Sequence, residues 1–115
     1  MPGTFDQTEL LERVDHDLAF LDETVQMLAG DGRALMAELR RNLETGDAPA
    51  VGRNAHALKG MISNFCAPAA QQAALSVERT GKSGDLSTAG PLVADLGERL
   101  EALIHELEQF VKGAR

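Results

Sequence analysis

The chain has 115 residues, which suits one domain spanning 1–115, and with no tryptophan or tyrosine its interior falls to leucine, valine and alanine. A net charge of −7 counts against a nucleic-acid-binding module, which carries a basic patch. A single cysteine, Cys66, excludes an internal disulfide and fits a reducing, cytoplasmic compartment, while no apolar run approaches the ~20 residues of a membrane span and "MPGTFDQTEL" lacks the basic start of a signal peptide.

Helical periodicity dominates from the start. Leu10, Leu11 and Val14 mark a short first helix, and Leu18, Leu21, Val25 and Leu28 step by three and four along the next. "GDG" at 30–32 is expected to interrupt it, with Asp31 as the following N-cap. Leu35, Leu39 and Leu43 then continue to "TGD" at 45–47, where one helix stops and Asp47 caps another that accepts Pro49 in its first turn. Val51, Ala55, Leu58, Ile62 and Phe65 form its apolar stripe. "CAP" at 66–68 turns the chain, and Pro68 suits a helix start. Ala70, Ala73, Ala74 and Val77 make a small-residue face, followed by an expected loop, "TGKSGD", at 80–85. Leu92, Leu96, Leu100, Leu103, Leu107 and Phe110 belong to a long amphipathic helix.

No alternating β-branched run, internal repeat or linker is present. Short loops between helices favour antiparallel neighbours, so the expected fold is an all-α, up-and-down four-helix bundle with a short additional N-terminal helix.

The stretch "NAHALKGMISNF" at 54–65 raises a question of its own, because a glycine inside a helix costs about 0.5–1 kcal/mol relative to alanine. On a helical wheel the core residues of this segment fall within roughly 40° of one direction, while His56 points roughly 140° away and Gly60 roughly 180° away. Gly52 and Ser63 fall on the same outward side, and Lys59 shares a surface with His56. An exposed imidazole cleared by small residues admits a macromolecule, and a neighbouring ammonium suggests that an anionic group is delivered to the ring.

"AHALKG" resembles the H-x-x-K-G motif of histidine-containing phosphotransfer (HPt) domains. The likeness extends over nearly the whole chain, through "LLERVDHDLAFL", "AELRRNLETGD" and "VERTGKSGD". It implies a bundle that relays a phosphoryl group between the aspartates of response-regulator receiver domains, with a hybrid histidine kinase as a further partner. By that resemblance His56 accepts the phosphoryl group, Lys59 steadies its oxygens and Gly60 gives the receiver access; Gly52, Ser63 and Arg53 are further candidates for partner access. One departure is Cys66, where the family often has glycine ten residues after the histidine.

The residue types suit that chemistry. Phosphoryl transfer needs an in-line nucleophile, positioning and charge neutralisation, and an unperturbed histidine titrates near pH 6.5, so a neutral ring nitrogen is available around pH 7. The chain has no Walker-type loop and no aspartate cluster resembling a Mg²⁺ site, so no cofactor of its own is expected; the metal would come from the receiver. If Cys66–Ala67 is the tip of a helix pair, His56 lies eleven residues before Ala67 and Glu78 eleven after, which sets them level. Glu78, at a position where the family often carries Glu or Gln, is then a candidate to orient the imidazole; the other reading is a solvated glutamate.

His16 and His105 have no partner at zinc-ligand spacing, and Cys66 reads as a packing residue. Met27, Met36 and Met61 read as core or rim filler, and Glu98, Glu101, Glu106 and Glu108 as a solvated face. The leading reading is a monomeric, freestanding phosphocarrier with no independent catalytic centre. The alternatives are a phospho-accepting domain of a larger hybrid kinase and a non-catalytic adaptor that binds receivers without turnover.

Overall fold

The computed structural model describes residues 4–114. Its helices are α1 (Gln7–Arg13), α2 (Leu18–Met27), α3 (Arg33–Thr45), α4 (Ala48–Ile62), α5 (Pro68–Ser83) and α6 (Ala89–Ala114), with no strand among the described residues. Aspartates start three of them: Asp6, Asp17 and Asp47 each accept from a backbone N–H three residues on, at 3.0–3.1 Å. Gly46, at φ +73°, ends α3 in the left-handed conformation that glycine adopts without a Cβ penalty.

The expected break at 30–32 does not occur. Leu28–Gly32 is a single π-helical turn, and Met27, Leu28, Gly32 and Arg33 all keep right-handed helical backbone, so α2 and α3 form one continuous member. Asp31 makes no capping bond there. Gly32 is buried, and a Cβ on it would lie 3.4 Å from Leu28 Cδ1 and 3.8 Å from Leu100. The glycine lies inside the helix facing Leu100 of α6, where a Cβ would make only ordinary contacts, and it does not act as a stop. The expected loop at 80–85 is shorter than the sequence implies for a similar reason. Helix α5 runs on to Ser83, because Gly81 is a buried packing residue, and the chain turns only at Gly84.

The four members close into a ring: α2–α3 packs on α4, α4 on α5, α5 on α6, and α6 returns against α2 and α3. Leu58, Ile62, Leu96, Leu100, Leu103 and Leu107 are fully buried at its centre. Each such aliphatic side chain contributes about 1.5–3 kcal/mol by leaving water. Helix α1 is the additional N-terminal helix, held by buried Leu10, by Asp6 N–H donating to Cys66 O at 2.9 Å and by Arg13 Nη1 donating to Ser63 O at 2.8 Å. Of the three methionines read as filler, Met36 is core and Met61 half-buried, whereas Met27 is exposed. Glu101 stays exposed on the solvated acidic face, where it pairs with Arg33 at 2.9 Å. No helix among the described residues is long and apolar enough to cross a membrane.

Candidate functional site

The α4–α5 pair builds the site. Cys66 takes a left-handed conformation, φ +56°, which reverses the chain between Phe65 and Pro68 and brings α5 back along α4. That is the conformation glycine adopts most readily, which accounts physically for a glycine being acceptable at this position. Further along, Gly81 and Gly52 let the two backbones nearly touch: a Cβ on Gly81 would lie 2.7 Å from Gly52 Cα.

That approach corrects the outward placement of Gly52. Gly52 is buried, with the Glu78 carbonyl oxygen and Lys82 N 3.6 and 3.5 Å from where its Cβ would be. The wheel gave its angle on α4 but not the tilt of α5 over it. Gly60 stands differently: a Cβ there meets nothing within 4 Å, and its carbonyl accepts from Ser63 Oγ at 2.6 Å. Ser63 is half-buried and Arg53 exposed.

His56 and Glu78 do sit level. His56 Nδ1 lies 2.8 Å from Glu78 Oε2, with the His56 side chain 67% exposed and that of Glu78 only 3%. Glu78 is therefore not a solvated glutamate but, among the described residues, the one charged residue in the buried set. Two ammonium groups compensate it. Lys59 Nζ donates to Oε1 at 2.6 Å, and Lys82 Nζ stands 2.8 Å from Oε2. The Lys59 bond above all, then Lys82 and His56, hold the carboxyl at about 2 against burial, far below its ordinary 4.5.

An ionised carboxylate only accepts hydrogen bonds, so the neutral imidazole must carry its proton on Nδ1. Its Nε2 then keeps a free lone pair on an exposed ring. Sequence reasoning missed Lys82. The signal was its place four residues after Glu78 on one helix, the spacing of a side-chain ion pair. Pro49, Gly52, Arg53, His56 and Lys82 line an open cavity of about 460 Å³ beside the ring. His16 and His105 are exposed and remote from this cluster in sequence, and among the described residues no group of three or more His, Cys, Asp or Glu side chains could hold a metal ion.

The family profile described as Hpt domain matches residues 23–111. In fold, the chain is similar to the crystal structure of histidine-containing phosphotransfer protein B (HptB) from Pseudomonas aeruginosa PAO1, with a TM-score of 0.82 and 24% sequence identity over 100% of both chains. Among curated proteins, none matches the chain.

Proposed function

The chain belongs to the Hpt domain family, whose members are phosphocarrier intermediates of two-component phosphorelays, and from that premise we propose that His56 Nε2 accepts a phosphoryl group from a receiver-domain aspartyl phosphate and passes it to another receiver. The observation that carries this reading is an exposed imidazole whose other nitrogen is tied, at 2.8 Å, to a buried carboxylate.

In the forward step the Nε2 lone pair attacks phosphorus and the N–P bond forms. The P–O bond to the receiver aspartate breaks, and its electron pair returns to that carboxylate. The ring, still protonated on Nδ1, gains positive charge, which rests against Glu78 Oε2. In the return step a receiver carboxylate attacks the same phosphorus and the ring leaves as neutral imidazole. Glu78 thus fixes the tautomer and steadies the charged ring without moving a proton itself. The receiver brings the Mg²⁺ that neutralises the transferring phosphoryl group, and this chain brings the nucleophile and its orientation. The open space over Gly60 supports direct approach of the receiver to the ring.

Incubation with a phosphorylated receiver and Mg²⁺ tests this. Acid-labile label on the wild-type chain, absent in His56→Gln, is the expected result. Receiver binding with no label would support the adaptor reading instead. Label that survives His56→Gln would move the acceptor elsewhere.

A further inference from the structure

The two lysines on Glu78 are not equivalent, and we propose that they divide the work: Lys82, with Arg53, binds the phosphoryl oxygens, while Lys59 is a positioning residue that acts through Glu78. The assignment rests on the phosphocarrier reading of His56.

Three observations carry it. The first is commitment. Lys59 donates to Glu78 Oε1 at 2.6 Å and its side chain is 26% exposed, whereas Lys82 reaches Oε2 at 2.8 Å with a side chain 69% exposed. The second is what each departure leaves behind. Oε2 is shared by Lys82 and His56 Nδ1, but Oε1 is held by Lys59 alone. If Lys82 swings to an incoming anion, each oxygen of the buried carboxylate keeps one partner. If Lys59 swings instead, Oε1 is stranded in a buried place, where an unpaired charge is most costly. The third is location. The cavity beside the ring is lined by Lys82 and Arg53 and not by Lys59.

Charge favours the exchange. One carboxylate faces two ammonium groups, so the cluster already carries an excess cation before any anion arrives. Arg53 has no carboxylate partner among the described residues, and its planar fork suits phosphoryl oxygens. As Nε2 takes the phosphoryl group the ring becomes cationic and binds Oε2 more strongly, which compensates Glu78 for the loss of Lys82. Lys82 has its own side chain 69% exposed in the free protein, so it can swing to an incoming anion without crossing the core, and the cationic ring takes over its part in compensating Glu78.

The test follows transfer from a phosphorylated receiver in Mg²⁺, together with the ring tautomer of His56 read by ¹⁵N NMR. Lys82→Gln is expected to slow transfer at least tenfold while keeping the proton on Nδ1; Lys82→Arg should restore most of the rate, and Arg53→Gln should add to the loss. Lys59→Gln should instead weaken the Nδ1–H preference and lower the melting temperature. Wild-type transfer by Lys82→Gln, or loss of transfer by Lys59→Gln with tautomer and melting unchanged, would overturn the assignment while leaving the phosphocarrier reading intact. Absence of label on wild-type His56 would overturn the phosphocarrier reading, and this assignment with it.

Discussion

His56 Nδ1 and Glu78 Oε2 face each other at 2.8 Å across the α4–α5 interface, one side chain largely in solvent and the other almost wholly out of it. The buried partner is held on both oxygens by Lys59 and Lys82, and on the reading proposed above it sets which nitrogen of the exposed ring is free. Removing it should expose that control. Glu78→Ala is expected to leave a folded bundle whose His56 populates both tautomers and whose phosphoryl acceptance falls at least about tenfold, the order of effect that positioning a single group supplies. Transfer kinetics and the ¹⁵N shifts of the ring check it together; unchanged kinetics would reduce the pair to surface chemistry.

Acid should remove the same interaction. The Glu78 carboxyl is held at about 2 in the folded protein against an ordinary 4.5, so its folded value is depressed. Its contribution to stability is then complete above about pH 4.5 and is lost as pH falls toward about 2. Urea unfolding between these limits should show the wild type losing more stability than Glu78→Ala, a difference that isolates Glu78 from Glu101, which Arg33 also holds low. Parallel curves for the two proteins would contradict this.

Lys59 carries more stability than an outward surface lysine would. On the helical wheel alone Lys59→Ala should change stability by under about 0.5 kcal/mol. With its ammonium 2.6 Å from a buried carboxylate, the expected loss is about 1–2 kcal/mol, in the range of hydrogen bonds to charged groups and reduced by its partial exposure. Denaturant unfolding of Lys59→Ala decides between the two values.

Gly60 and Gly81 have opposite surroundings, open space at one and the backbone of α4 at the other. Gly60→Ala enters open space and should stabilise the helix by up to about 1 kcal/mol, whereas Gly60→Gln should block the receiver and slow transfer without an earlier melt. Gly81→Ala drives a Cβ into the backbone of Gly52 and should destabilise by about 1–3 kcal/mol or more, with Gly52→Ala milder because its Cβ would make ordinary contacts. Thermal melts of all four variants check the ordering. Full transfer by Gly60→Gln would count against an access role.

Much of this was legible in the residues. The apolar stripes gave α4 and α6, Asp47 and Pro68 marked helix starts, and equal spacing from the turn set His56 opposite Glu78. What stayed hidden depends on how neighbouring helices approach. "GDG" at 30–32 and Gly81 carry the composition of turns, yet Gly32 and Gly81 lie buried inside continuous helix. Gly52 has an outward angle on its own helix and is covered only because Gly81 lets α5 come close. The depth of Glu78, and hence the capture of Lys59 and Lys82, follows from that same close approach, which no single helix records.

The central claim is that Glu78 holds the proton on Nδ1 and leaves Nε2 of His56 to take the phosphoryl group. Phosphorus–nitrogen coupling in the ¹⁵N-labelled, receiver-phosphorylated protein tests it most directly. The account predicts coupling to Nε2 of His56, with Nδ1 still protonated toward Glu78; coupling to Nδ1, or phosphorus on any other residue, would contradict it.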